Sequence, residues 1–210
     1  MAERATSRPR RGRRRAYGTA ALAGAATLAV ALSSGCSKSA DASDGAGAAG
    51  KATPVSVLSP SVPDHIKIPS LKVDADLGTV GLDSKGVMDT PPYDKPLQAD
   101  WYKQGPTPGE KGAAAVVGHM DTPDTPKAVF YNLKELKKDA EVDVRREDGT
   151  TAVFTVDSVE TFKKDAFPTD KVYGKTDKAE LRLITCGGDL TKSRHWDSNV
   201  VVFAHLTGKA

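Results

Sequence analysis

Short apolar runs alternate with polar residues from residue 62 onward, and glycine, proline and aspartate separate them. Alternation with a period of two is typical of β-strands. The pattern predicts strands at residues 65–68, 71–77, 80–82, 113–118, 141–145, 152–156, 181–185 and 199–205. About eight strands in about 150 residues indicate an all-β fold, either a closed barrel or a sandwich.

Helical periodicity is scarce in the same region. Val129, Leu133 and Leu136 fit one short helix. Between the fifth and sixth runs, the triplet Glu147-Asp148-Gly149 predicts a hairpin turn. The predicted domain therefore consists of strands and turns with very little helix.

The run at residues 181–185 ends at Cys186, which two glycines follow. We therefore expect Cys186 at the end of a strand that stops at Gly187. A thiol there is held by a rigid element and can still reach a cleft. The chain's other cysteine, Cys36, precedes the predicted domain, so Cys186 has no disulfide partner within it. Such a thiol is either a nucleophile or an inert core residue.

The first 36 residues are typical of an export segment. Residues 1–16 contain seven arginines and one glutamate, so they carry +6 and the remainder is near −3. Residues 16–35 are uncharged and rich in Ala, Leu and Val. We predict that residues 1–36 are a signal peptide or membrane anchor. An uncleaved anchor, a lipoprotein cleaved before Cys36 in a lipobox-like Ser33-Ser34-Gly35-Cys36, and a secretory peptide are all open. Each places the domain outside the membrane.

Residues 37–60 contain few large apolar side chains and predict a flexible linker, which leaves residues 61–210 as the folded domain. The basic isoelectric point comes from the N-terminal arginines. Aromatic content is 6%, and no basic stripe is interleaved with aromatics. The composition therefore argues against nucleic acid as a partner of the domain.

A cysteine nucleophile needs a base, and the chain has four histidines. His119 ends the apolar run at residues 113–118, so it also projects from a strand end. His195 lies in the loop after Cys186 and is the rival base. We interpret His65 as a solvent-facing strand residue and His205 as structural. Arg194, eight residues after Cys186, is either an oxyanion-stabilising cation or a solvated loop charge.

The ordered set His119, Cys186 and Arg194 resembles the sortases, which are bacterial cysteine transpeptidases. The resemblance covers about residues 62–207. It rests on Leu183-Ile184-Thr185-Cys186, on Val117-Gly118-His119-Met120-Asp121-Thr122, and on flanking segments such as Ile66-Lys67-Ile68-Pro69 and Trp101-Tyr102. Cys186-Gly187-Gly188 and the short loop to Asn199 are most similar to the actinobacterial class F branch, followed by class E.

The resemblance implies an eight-stranded sortase β-barrel with one or two short helices and no cofactor. It implies that Cys186 attacks a Thr–Gly-type bond in an LPxTG-like sorting signal, and that His119 protonates the leaving amine. Arg194 would stabilise the oxyanion or orient the substrate, and Thr185 would contact the substrate. An amine of a peptidoglycan precursor would release the thioacyl enzyme at the extracellular face of the membrane. Residues 161–179 would shape the substrate groove, and Trp196 stands where family members usually carry Tyr.

Two other interpretations remain open. His119, Asp121 and Cys186, together with His195 or His205, are residue types that bind zinc, although no pair has the close spacing of zinc motifs. A non-catalytic cell-surface binding module could also use the same barrel.

Overall fold

The computed structural model describes residues 55–210. The predicted export segment and most of the predicted linker lie outside the described residues. The described part contains eight strands: β1 (Pro63–Ile68), β2 (Val73–Val80), β3 (Ala99–Tyr102), β4 (Gly112–Gly118), β5 (Glu141–Arg146), β6 (Thr151–Lys163), β7 (Ala179–Leu190) and β8 (Trp196–Lys209).

The strands close into one barrel in the order β1-β2-β3-β4-β7-β8-β6-β5. Two neighbouring pairs, β2–β3 and β4–β7, are parallel, and the other pairs are antiparallel. A parallel pair needs a long crossover connection. Residues 81–98 make this connection between β2 and β3, and the segment from β4 to β7 includes β5 and β6.

Alternating side chains form two separate apolar clusters. The inner cluster fills the barrel with residues such as Ile66, Val116, Leu181 and Leu183. The outer cluster lies on the other face of β4, β7 and β8. It consists of Val80, Ala115, Val117, Val172, Ile184, Val201 and Phe203, with Met88, Tyr102, Phe162 and Phe167 packed against it.

The closed barrel confirms the expected all-β class and excludes the sandwich. One predicted strand is absent, β3 was not predicted, and β6, β7 and β8 extend beyond their predicted ends. Residues 80–82 do not form a strand of their own, because Val80 ends β2 and Leu82 makes only an isolated bridge to Met88. The predicted stop at Gly187 is also wrong, since β7 continues to Leu190 while β8 supplies its hydrogen bonds. Cys186 therefore lies inside a strand, although just beyond the end of its other neighbour, β4.

Helix is confined to short segments. The described residues contain one α-helix, α1 (Thr169–Tyr173), and three 3-10 helices at Pro69–Leu71, Leu133–Glu135 and Lys164–Ala166. The predicted helix around Leu133 is thus a single 3-10 turn. Within residues 55–210, no helix is both long and apolar enough to cross a membrane.

Contacts with the barrel begin before residue 61. The Leu58 amide donates to the Gly109 carbonyl at 2.8 Å, and the Leu58 side chain packs against the inner cluster. The buried guanidinium of Arg146 donates to the Ser59 carbonyl. The packed part of the chain therefore starts at Leu58, inside the segment predicted as linker.

Candidate active site

The register of β4 and β7 brings His119 and Cys186 side by side. These parallel strands pair Val117 with Ile184, so His119 and Cys186 each follow two residues later. Val117 and Ile184 both belong to the outer cluster. Because alternate residues share a face, both reactive side chains also point to the outer face, on backbones about 4.8 Å apart. Two residues that are 67 positions apart in sequence thus occupy adjacent positions at one rim of the barrel.

The residues that precede Cys186 and His119, which are Thr185 and Gly118, are hydrogen-bonded to each other. Thr185 is only 4% exposed, and its hydroxyl donates to the Gly118 carbonyl at 2.7 Å. Gly118 packs so closely that an added Cβ would lie 2.6 Å from Phe130 Cδ2. The Thr185 side chain therefore faces the barrel interior, and its hydroxyl is occupied by this bond.

His119 is 9% exposed and is held on both its ring and its backbone. Its Nε2 lies 2.9 Å from the Pro91 carbonyl oxygen, and its ring stacks on Tyr93 with centroids 4.8 Å apart. The Phe130 amide donates to the His119 carbonyl. A carbonyl only accepts, so Nε2 carries a proton and Nδ1 is the nitrogen that exchanges one.

A buried carboxylate lies beside this histidine. Asp100 is 1% exposed and pairs with Val117 across β3 and β4, so it shares the outer face with His119. Its Oδ1 accepts from the Gln98 amide, while Oδ2 has no partner among the described residues. Burial raises the pKa of Asp100, against the opposing effects of Gln98 and of the charges on Lys95 and His119. The carboxylate therefore lies within electrostatic reach of the imidazole.

Cys186 is half-buried, and one charged side chain is hydrogen-bonded to its sulfur. The ammonium of Lys164 donates to Sγ at 3.6 Å. Lys164 opens the 3-10 helix that follows β6. Sequence reasoning missed this residue, because one lysine in a polar connection rich in lysines carries no distinguishing signal.

Arg194 lies in the turn that joins β7 to β8. It is exposed, with φ of 60° and its amide bonded to the Thr191 carbonyl. Its side chain makes no hydrogen bond or ion pair with any residue that the structure describes. The structure thus brings Cys186 and His119 together and leaves Arg194 at the tip of a hairpin. His195, the rival base, is exposed in the same turn. His205, on β8, is paired with Asp157 of β6.

Asp197 organises the base of that hairpin. Its carboxylate accepts from Lys163, from Ser198 and from the Asp189 amide, and these bonds lower its pKa to about 2. Trp196, which precedes Asp197 in the chain, donates a hydrogen bond from Nε1 to the Asp121 carboxylate at 2.9 Å. Because Asp121 follows His119 by two positions, this bond ties the hairpin after Cys186 to the segment after His119.

The arrangement is suited to acyl transfer by a thiol. A nucleophile and an acid–base group stand together beside an apolar surface, with a cation at the sulfur. No group of three or more His, Cys, Asp or Glu side chains in residues 55–210 is placed to hold a metal ion. Two cavities among the described residues have linings that include neither Cys186 nor His119. The larger, of about 580 Å³, lies around Gly112, at the opposite end of β4 and β7.

Residues 66–207 match a family model described as the sortase domain. The chain belongs to the sortase family. It is therefore a cysteine transpeptidase, and it works, as sortases do, at the cell surface. No curated protein sequence matches it.

Solved sortases share the fold of this sortase domain. Sortase C1 from Streptococcus agalactiae aligns with a TM-score of 0.54 at 19% identity, over 69% of this chain and 67% of that one. Sortase A from Listeria monocytogenes gives 0.53 at 18% identity, over 72% and 90%. A lid mutant of sortase A from Corynebacterium diphtheriae gives 0.53 at 16% identity, over 72% and 73%. These similarities confirm the eight-stranded sortase barrel.

Proposed function

We propose that this sortase cleaves a Thr–Gly-type bond in the C-terminal sorting signal of other proteins and joins the new carboxyl end to an amine of a cell-wall precursor. Cys186 is the nucleophile and His119 the proton donor. The observation that carries this assignment is the β4–β7 register, which aims both side chains out of the same rim. Neither residue needs a metal or a cofactor for this reaction.

The reaction proceeds in two halves. The sulfur of Cys186 attacks the threonine carbonyl carbon, and the carbonyl electrons move onto oxygen. When the intermediate collapses, the carbon–nitrogen bond breaks and the leaving amine takes a proton from His119. The acceptor amine then attacks the thioester and the sulfur leaves. His119 takes a proton from the incoming amine, so the cycle returns both groups to their starting states.

Arg194 and Thr185 have supporting roles in this proposal. The Arg194 guanidinium stabilises the oxyanion or orients the substrate. Thr185 meets the substrate through its backbone, since its hydroxyl is bonded to Gly118.

The outer cluster supports an apolar sorting motif upstream of the scissile bond. Val117 and Ile184 belong to this cluster and lie two positions before His119 and Cys186. The connection between β6 and β7 contributes Phe167 and Val172 on one side, and the connection between β2 and β3 contributes Met88. This agrees with the expected groove-shaping role of residues 161–179.

We further propose that the protein is an actinobacterial sortase of class F, with class E as the alternative. We also propose that residues 1–36 hold it outside the cytoplasmic membrane. The sequence Cys186-Gly187-Gly188 and the short hairpin to Asn199 support the class. The basic and apolar halves of residues 1–36 support the location.

Mass spectrometry tests the proposal directly. The full chain, as wild type and as Cys186→Ala, is incubated with a Leu-Pro-x-Thr-Gly peptide and an amine acceptor. We expect a thioacyl adduct, mapped to Cys186 rather than Cys36, and a transfer product with wild type alone. If wild type forms neither with that peptide nor with a panel varied at each position, and Cys186 resists alkylation, the non-catalytic binding module replaces this proposal.

A further inference from the structure

Lys164 is the only charged side chain in residues 55–210 that is hydrogen-bonded to the sulfur of Cys186. We propose that Lys164 is a further catalytic residue, whose ammonium stabilises the Cys186 thiolate and then the charge that moves onto the substrate carbonyl. The role in acyl transfer rests on the function proposed above. The contact with the Cys186 sulfur does not, because it exists in the free protein.

The barrel, rather than a free loop, determines where Lys164 lies. At this rim β8 lies between β6 and β7, and its Ser198 pairs with Lys163 on one side and with Gly187 on the other. Lys164 follows Lys163 at the point where the chain turns back across the outer face. A lysine stem then spans β8 and places Nζ 3.6 Å from Sγ.

Two other lysines near the site are bound elsewhere, and Arg194 lies at the tip of the β7–β8 hairpin. Lys163 pairs with Asp197 at 2.5 Å. Lys171 pairs with Glu160 at 2.6 Å, and its ammonium lies over the rings of Phe162 and Phe203. Lys164 has no carboxylate partner among the described residues. Its charge is therefore available to the thiol.

Several other charged groups surround the thiol. His119 projects beside it from the end of β4, and Asp189 and Asp197 lie on the hairpin that follows it. Asp165 is next to Lys164 in the chain and acts on Lys163. Asp197 is engaged by Lys163 and Ser198, which limits its opposition to a thiolate. Lys164 thus supplies the direct positive contact in a region of mixed charge.

The ammonium keeps its protons throughout the reaction. It has three N–H donors, and the contact with sulfur uses one of them. When sulfur attacks, negative charge passes from sulfur to the carbonyl oxygen, and the remaining donors can follow it. His119 still supplies the proton to the leaving amine, so Lys164 adds electrostatic stabilisation without a new transfer step.

Alkylation of Cys186 by iodoacetamide, without any peptide, tests the contact in the full chain. We expect Lys164→Met to slow alkylation at pH 7 by about threefold to fivefold, the size of effect that a partly exposed ion pair supports. Lys164→Arg should keep the wild-type rate. At pH 10 the thiol ionises without help, so the variants should converge. A general loss of folding would not produce this convergence.

Lys134→Met is the matched control, because Lys134 is also an exposed lysine in a 3-10 helix and does not touch Cys186. It should alkylate at the wild-type rate. Equal rates for wild type and Lys164→Met at pH 7, or an equal loss in Lys134→Met, would overturn the proposal. If alkylation depends on Lys164 while no sorting peptide is cleaved, the contact stands and the proposed function fails.

Discussion

At the scale of single residues, the two reactive side chains differ in how firmly they are held. His119 is bonded to the Pro91 carbonyl and stacked on Tyr93, whereas the Cys186 sulfur touches one exposed lysine. A histidine with a fixed ring orientation is ready to transfer protons. A less constrained thiol can move toward a carbonyl carbon.

The hydrogen bond of Thr185 should contribute both to stability and to peptide cleavage. Thr185→Val keeps the shape of the side chain but removes its hydrogen bond to Gly118. We expect a loss of about 1 kcal/mol in the free energy of unfolding, because the hydroxyl is buried. We also expect a lower rate of peptide cleavage, since Gly118 precedes His119. Urea unfolding and a cleavage assay measure the two effects.

Thr155→Val is the control for that prediction, because its hydroxyl bonds to Thr207 on the exposed side of β6. It should change stability by less than about 0.5 kcal/mol and leave cleavage unchanged. Equal effects of the two substitutions would contradict the positioning role of Thr185.

At the scale of elements, the β7–β8 hairpin depends on one ionised carboxylate. Bonds from Lys163, Ser198 and the Asp189 amide hold the pKa of Asp197 at about 2, below its ordinary 3.8. Asp197 thus stabilises the folded state above about pH 4, and this contribution is lost as the pH falls toward 2. Asp197→Asn should be less stable than wild type at pH 6, and the difference should shrink by pH 2.5.

Urea unfolding of wild type and Asp197→Asn at both pH values measures this difference, and every other acidic group is common to the two proteins. A difference that stays constant between pH 6 and pH 2.5 would show that the carboxylate charge does not hold the hairpin.

Local patterns predicted the elements that carry the reactive pair, and long-range contacts decided what they missed. The apolar run before His119 and the alternation before Cys186 both formed strands. The glycines after Cys186 did not end β7, because at Gly188 an added Cβ would lie 2.2 Å from Asp197 Oδ1. The glycine at position 188 therefore permits the close approach of the Asp197 side chain, and it does not mark the end of the strand. The contact of Lys164 depends on how β6, β8 and β7 are ordered, which no local pattern contains.

At the scale of the whole molecule, the segment before β1 also packs against the barrel, through Leu58. An added Cβ at Gly109 would lie 2.7 Å from Leu58 Cδ1, which shows how closely these segments pack. Leu58→Ala should lower the free energy of unfolding by about 1–2 kcal/mol, less than for a fully buried leucine. Its neighbour Val57 is 49% exposed, so Val57→Ala should change it by less than about 0.5 kcal/mol.

Chemical unfolding of both variants in the full chain provides the comparison. Equal stability of Leu58→Ala and Val57→Ala would mean that the folded unit starts later, at the boundary of residue 61 that composition predicts.

Cys186 and His119 are expected to act as one unit. This is tested by measuring the rate of amine transfer in Cys186→Ala, in His119→Ala and in the double variant. Residues that act together show strongly non-additive losses. We expect each single variant to lose at least about 10³-fold in transfer rate and the double variant to lose no more than Cys186→Ala. A His119→Ala protein that keeps transfer within about tenfold of wild type would contradict the account, because the leaving amine would then not need this histidine.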